Sequence, residues 1–352
     1  MSIKPIKFAL AGCGRLALQV HIPLLRRLPG VELVAVADIQ NEALDSARAL
    51  APNCVAFHTQ TDMLDGVEAD AVIIAVPTDL HAHMACEAFR RGKHVYLEKP
   101  IASNLAEAEQ IIVAWKRAGV IAVPGFNYRF HPLVRELRRL LDNGRIGALL
   151  AARTTFSIAP PAPTCWRASR TRGGGALLDL ATHHADLIRF IFRRDIAGAQ
   201  SSVRSICNED DCVTVQFHLQ DNFIVQSFFS ECGPELDSFE VFGEYGSLAF
   251  DRYFSEDVEY AAPGHGRARL QRLFNRMRSF APRRHWLTKV GAPIHEPSYQ
   301  ASLSHFISAI RGNSSVEYDL MDGYKSIAAV AAAQESAACG RLIECDKTLV
   351  GL

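Results

Sequence analysis

Lys7-Phe8-Ala9-Leu10-Ala11-Gly12-Cys13-Gly14-Arg15-Leu16-Ala17 is an apolar run that breaks at two glycines and resumes at helical spacing. It reads G-x-G-x-x-A between a strand and a helix. The first glycine permits a tight turn, the second lets the backbone approach a pyrophosphate, and Ala17 in third place lets helix and strand pack closely. Free N–H groups and the helix dipole favour a phosphate there, so Gly12, Cys13, Gly14, Arg15 and Leu16 are candidate cofactor contacts. Asp38 ends the next apolar run, at roughly the 20-residue separation from which a carboxylate reaches ribose hydroxyls. No Arg or Lys follows Asp38 until Arg48. A carboxylate in that place repels a 2′-phosphate, which predicts NAD rather than NADP.

Outward from this motif, short β-branched runs alternate with helical segments up to about residue 125. Strands are predicted at 7–11, 33–37, 71–76, 94–97 and 121–123, and helices at 16–28, 41–50, 80–91 and 105–118. This is the rhythm of a parallel sheet covered by helices. After Pro124 the pattern changes. Helices at 133–141 and 177–191 precede strand-like runs at 199–205, 212–219, 223–230, 238–243 and 247–251, and helices at 299–311 and 323–340 close the chain. The fold class is therefore α/β, with an N-terminal Rossmann domain over 1–125 and a C-terminal α+β domain over 126–352 built on a large, mostly antiparallel sheet.

Composition bounds the function. The 352 residues carry 38 Lys plus Arg against 38 Asp plus Glu, with 49% apolar and 22% charged residues. The length suits about two domains, and the neutral balance removes any global attraction to nucleic acid. Nine cysteines without a C-x-x-C pair read as scattered reduced thiols, so no metal is expected. The first residues lack the regions of a signal peptide, and no apolar run approaches the roughly 18 residues of a membrane span. A cytoplasmic protein without a transmembrane segment is the expectation.

Two further segments carry chemistry. Gly92-Lys93-His94-Val95-Tyr96-Leu97-Glu98-Lys99-Pro100 ends a strand in a Lys-Pro pair, and Gly173-Gly174-Gly175-Ala176-Leu177-Leu178-Asp179-Leu180-Ala181-Thr182-His183 places Asp179 and His183 four apart, on one helix face. Alcohol oxidation needs a proton acceptor and a positive group at one oxygen while a cofactor takes the hydride. Taken singly, such residues are as readily structural: a Lys before Pro is commonly a surface residue, and Asp and His at this spacing often merely pair.

Together with Val76-Pro77-Thr78, His81 and Gly125-Phe126-Asn127-Tyr128-Arg129-Phe130, these segments make the chain resemble the glucose-fructose oxidoreductase, inositol dehydrogenase and MocA (Gfo/Idh/MocA) family. The resemblance extends to 299–310 and to Asp322-Gly323. It implies an NAD(P)-dependent oxidoreductase acting on a secondary alcohol of a sugar, cyclitol or sugar nucleotide, with an active site in the cleft between the domains and a homo-oligomer formed through the open sheet face. His183 is then the general base, Lys99 the hydrogen-bonding cation at the same oxygen, and Asp179 the holder of substrate hydroxyls. Pro77, Thr78, His81, Glu98 and Lys99 join the cofactor contacts. Tyr128, Arg129, Trp166 and Arg167 join Lys99, Asp179 and His183 as substrate contacts, with a core anchor for the Pro-rich loop 159–163 as the equal alternative for Trp166, while His184 is expected to pack away from that face. Two other uses of the fold compete: a glycosidase-like cycle in which bound NAD is regenerated, and a sugar-sensing regulator without chemistry.

Residues 264–295 stand apart. They hold Arg267, Arg269, Arg272, Arg276, Arg278, Arg283, Arg284 and Lys289 and no Asp or Glu. Leu270, Leu273, Phe274 and Met277 give this basic insertion an amphipathic helical period. A solvated basic face, a contact with an anionic partner and attachment to an anionic membrane are the competing readings.

Overall fold

The computed structural model describes residues 4–162, 165–169, 173–263 and 296–345, with only the backbone of Trp166. The basic insertion 264–295 and the Trp166 side chain therefore lie outside the described residues. Among the described residues no helix is long and apolar enough to cross a membrane, and all nine cysteines are free thiols.

The chain forms two compact units. The first comprises the described residues of Met1–Asn127, Thr171–Gly173 and Pro297–Ile327. Its strands are β1 (Ile6–Ala11), β2 (Val31–Ala37), β3 (Val55–Phe57), β4 (Ala71–Ile74), β5 (His94–Leu97) and β6 (Ala122–Pro124), in the order β3-β2-β1-β4-β5-β6. Every neighbouring pair is parallel. Such a sheet is covered on both faces, so its strands read as continuous apolar runs; Phe8, Leu10, Val72, Ile73 and Ile74 are fully buried. Helices α1 (Ile22–Arg27), α2 (Asn41–Leu50), α3 (Gln60–Gly66), α4 (His81–Arg90) and α5 (Leu105–Ala118) connect the strands. Asn104 caps α5 by accepting from the Glu107 N–H, and Gly119 ends it in the left-handed conformation. β3 and α3 escaped the sequence reading because neither is long enough to show a period.

Residues 297–327 also belong to this unit rather than to the one that precedes them in sequence. The reason is packing. On helix α8 (Pro297–Ile310), Phe306 meets Phe8 and Tyr96 edge-on at 6.2 and 5.8 Å. The Ser302 hydroxyl lies 3.0 Å from that of Tyr96 and 2.9 Å from that of Tyr318.

The second unit holds helix α6 (Pro132–Asp142), helix α7 (Thr182–Phe192) and an eight-stranded sheet. Its strands are β7 (Leu149–Ser157), β8 (Ile196–Arg204), β9 (Cys212–Leu219), β10 (Ile224–Ser230), β11 (Leu236–Gly243), β12 (Gly246–Asp251), β13 (Glu259–Ala261) and β14 (Ile343–Glu344), the last following helix α9 (Leu320–Cys339). The order is β13-β12-β11-β7-β10-β9-β8-β14, antiparallel except where β7 runs parallel to β10. Alternation sets the faces: Val213, Val215, Phe217 and Leu219 of β9 are buried, whereas Thr214 points to solvent. β7 carries Arg153 and two threonines among its apolar residues, which hid it from the sequence reading.

Candidate active site

The strand order of the first unit reverses between β1 and β4, the place where doubly wound folds bind nucleotides. Gly12 turns there with φ +91°, and a Cβ would strike the carbonyl of Ala75. No other residue type fits. A Cβ on the exposed Gly14 would meet nothing within 4 Å, so the space before the turn is open to a ligand. The first turn of the following helix is a π turn, Ala17–His21, and no side chain caps it. Its N-terminal N–H groups suit a phosphate.

Asp38 lies beside this turn. Its Oδ2 accepts the Cys13 N–H at 2.7 Å and its Oδ1 the Gln40 N–H at 2.9 Å. The carboxylate is thereby fixed at the end of β2, as ribose recognition requires. Burial first, then the nearby Asp38 charge, push the Cys13 thiol up to about 12, so it stays protonated. Thr78 is buried with its hydroxyl oxygen unpaired among the described residues, an acceptor or donor held in reserve. Gly173, at φ +88°, approaches it so closely that a Cβ would lie 2.6 Å from Thr78 Cβ. These features fit a dinucleotide.

Glu98 and His81 have structural tasks in this unit. His21, which the sequence reading passed over, places Nε2 2.8 Å from Glu98 Oε1, and both side chains are buried. Glu98 Oε2 accepts the Lys99 N–H at 3.2 Å. Glu98 thus ties the helix after the glycine turn to the residue next to it, half-buried Lys99. His81 Nδ1 lies 2.7 Å from the carbonyl oxygen of Pro100 and Nε2 2.9 Å from that of Val76. Burial pushes His81 below the ordinary histidine value and so toward the neutral ring. Both nitrogens face protein carbonyls, which makes His81 a clasp rather than a cofactor ligand through its ring nitrogens.

The second unit supplies a denser cluster. The predicted helix at 177–191 begins as a π turn, Leu177–Ala181, and continues as α7. Asp179 sits in the π turn and His183 in α7, both buried. The His183 ring stacks on Tyr128 with centroids 4.5 Å apart and planes 21° from parallel. The Arg252 guanidinium lies 4.0 Å from the same Tyr128 ring centre. Arg252 is itself buried, with Nε donating to Asp237 Oδ2 at 2.8 Å and Nη1 3.6 Å from Glu296. Burial opposes the Asp237 charge, but Arg252 outweighs it and holds the carboxyl well below the usual range.

His184 packs as expected. It is fully buried against Phe156, Phe229 and Phe239 of β7, β10 and β11, with Nε2 3.1 Å from Asp237.

Asp179 pairs with the Arg167 guanidinium, and the same Arg167 nitrogen donates to Glu231 Oε1 at 2.9 Å. Burial works against the Arg167 charge, yet the two carboxylates raise its pKa. Arg129 departs from the substrate-contact expectation. Its guanidinium engages Asp186 bidentately, with Nε to Oδ2 at 2.7 Å, and both groups are buried. That geometry makes Arg129 the anchor of α7.

His21, Glu231, Asp237 and Arg252 were missed because each acts on residues far away in sequence. Their one local signal is a charged residue at the end of an apolar strand, visible for Glu231 after Phe228-Phe229-Ser230 and for Arg252 after Phe250-Asp251. Among the described residues no three His, Cys, Asp or Glu side chains are grouped to hold a metal.

The family model for the oxidoreductase family, NAD-binding Rossmann fold, matches residues 6–126, and that for the GFO/IDH/MocA C-terminal domain matches 134–249. The uncharacterized oxidoreductase YrbE of Bacillus subtilis (strain 168) is 25% identical over 355 residues, which is 98% of this chain and 98% of that protein. The 1,5-anhydro-D-fructose reductase of Ensifer adhaerens is 33% identical over 203 residues, 53% of this chain and 58% of its own. The WlbA dehydrogenase from Bordetella pertussis, solved in complex with NADH and UDP-GlcNAcA, shares the fold at a TM-score of 0.82 and 22% identity, covering 98% of this chain and 99% of that one.

Proposed function

Because this chain belongs to the Gfo/Idh/MocA family of NAD-binding oxidoreductases, we propose that it transfers hydride between NAD and a secondary alcohol of a sugar, cyclitol or sugar-nucleotide ring. The observation that carries the reading is the Asp179–His183 segment: a buried histidine held by ring stacking, one turn from a carboxylate anchored by Arg167. Relatives named as sugar reductases and inositol dehydrogenases support the substrate class.

The chain's own residues take these roles. Gly12, Cys13, Gly14, Arg15 and Leu16 hold the pyrophosphate, Asp38 the ribose hydroxyls, and Pro77 and Thr78 border the nicotinamide. NAD, when bound, supplies the hydride acceptor. An imidazole nitrogen of His183 takes the proton of the substrate hydroxyl. The Lys99 ammonium, set by the tie from Glu98 to its backbone, stabilises the negative charge that develops on that oxygen. Asp179 accepts hydrogen bonds from ring hydroxyls, and Tyr128, Trp166 and Arg167 border the ring. The solvent face of the second sheet, with exposed Leu150 and Phe228, is the surface for self-association.

The test is an NAD-reduction screen over sugars, inositols and nucleotide sugars, with Lys99→Ala and His183→Ala as controls. The reading predicts NADH formation by the wild type and its loss in both variants. Full turnover in both would remove Lys99 and His183 from the chemistry, and product formed without net NADH would favour a glycosidase-like cycle instead.

A further inference from the structure

Glu231 belongs to no motif and has no role in the reading above. It follows β10 directly and is completely buried. Its N–H donates to the Asp211 carbonyl at 2.8 Å, which fixes the backbone. Its Oε1 accepts from Arg167, whose same nitrogen pairs with Asp179. Its Oε2 is buried and has no partner among the described residues.

Two carboxyl groups therefore meet one guanidinium nitrogen, both carboxyls buried and the guanidinium partly so. With both ionised, they would set two acceptors side by side with a single cation between them, and like charges so close and so buried do not both persist. One proton resolves the conflict. It turns the carboxyl pair into donor and acceptor and leaves one negative charge against one positive.

We infer that Glu231 is a positioning residue for Asp179: the two carboxyl groups share one proton beside Arg167, which fixes Asp179 as a singly charged acceptor for substrate hydroxyls. The positioning role rests on the reading of Asp179 given above; the shared proton does not. Burial and the Asp179 charge, in that order, push the Glu231 carboxyl up to about 8, consistent with the proton residing there at neutral pH. Among the described residues, the charged groups that face Glu231 are Arg167 from the turn Trp166–Ala168 and Asp179 from the π turn Leu177–Ala181. The nearby Asp211 carboxylate is occupied by the N–H groups of Ile206, Cys207 and Asn208 at 2.7 to 2.8 Å.

The experiment compares the full-length wild type with Glu231→Gln, which keeps the shape and hydrogen-bonding capacity without the ionisation. Infrared difference spectra across pH read the protonated carboxyl directly. The wild type should show such a band at neutral pH that titrates away near pH 8, and Glu231→Gln should lack it. In parallel, the pH profile of kcat/KM on the best substrate should have an alkaline limb in the wild type that disappears in the variant. No carboxyl band at neutral pH, or the same band in Glu231→Gln, overturns the shared proton. A band that behaves as expected beside an unmoved alkaline limb overturns the positioning role. If the wild type turns over no substrate at all, the reading of the preceding subsection fails and the positioning role falls with it, while the band still decides the shared proton.

Discussion

The glycine turn of the first unit and the glycine-rich segment before α7 open alike. Each begins at a glycine held at positive φ, Gly12 in one and Gly173 and Gly175 in the other, and each runs into a π turn, Ala17–His21 or Leu177–Ala181. From there they are built of different materials. The first offers main-chain N–H groups and one carboxylate, Asp38, whose oxygens are already engaged by main-chain N–H groups. The second offers side chains held by other buried side chains: Arg129 with Asp186, Arg167 with Asp179 and Glu231, and Arg252 with Asp237. A diphosphate needs close backbone and a dipole, which any sequence with the right glycines supplies. Proton transfer needs oriented titratable groups in a dry setting, and orienting them takes partners.

The largest effect expected separates the two regions by what they do. His183→Ala and Lys99→Ala should each lower kcat/KM by roughly 10²- to 10⁴-fold, the usual worth of a general acid–base or charge-stabilising group. Their NAD affinity, read by fluorescence titration, should change far less. A parallel loss of NAD binding in His183→Ala would erase the division of labour.

The next effect tests whether the second region stands on its buried charges. Arg129→Ala removes the bidentate partner of the buried Asp186 carboxylate, with Arg189 still 4.0 Å away, and should cost about 3–5 kcal/mol in a denaturation experiment, as breaking a buried pair does. Asp142→Asn, which removes the exposed partner of Arg193 at 2.7 Å, should cost less than about 1 kcal/mol. Equal costs would mean that burial is not what gives the pairs their weight.

A smaller, graded effect follows from Glu231. Its pKa in the folded chain is raised, so the folded state holds a proton that the unfolded state has already released. Its stabilising contribution is complete below the ordinary glutamate value and is lost as pH rises to about 8. Urea midpoints should fall across that window in the wild type and flatten in Glu231→Gln. The smallest effect belongs to the first region. Asp38→Asn keeps the shape and removes the charge, so the NAD-over-NADP ratio of kcat/KM should fall by about tenfold, or about 1.4 kcal/mol.

The same contrast explains how much could be read from the sequence. The nucleotide motif is local: Gly12, Gly14 and Asp38 lie on consecutive elements of one strand–helix–strand run. The helix limits Asn41–Leu50 and Leu105–Ala118 agree with the structure to the residue because a regular period and clear end signals mark them, whereas most strand limits of this unit differ by one or two residues. The shared helical run of Asp179 and His183 was legible through their spacing. The groups around them were not, since Glu231 reaches Arg167 and Arg252 reaches Tyr128 from the ends of β10 and β12, more than 45 residues away by the numbering. The Arg129–Asp186 pair was hidden for the same reason: nothing near Arg129 in sequence reveals that Asp186 pairs with it. The basic insertion 264–295, conspicuous in sequence, lies outside the described residues.

The most direct test of the account is isotopic. A sugar or cyclitol found in the screen, deuterated at the carbon to be oxidised, is incubated with NAD and the wild type, and the nicotinamide ring of the product is examined for deuterium. The account predicts deuterium on the NADH formed by the wild type and none above background with His183→Ala. Oxidised product without deuterium on the nicotinamide, or equal transfer by His183→Ala, would contradict it.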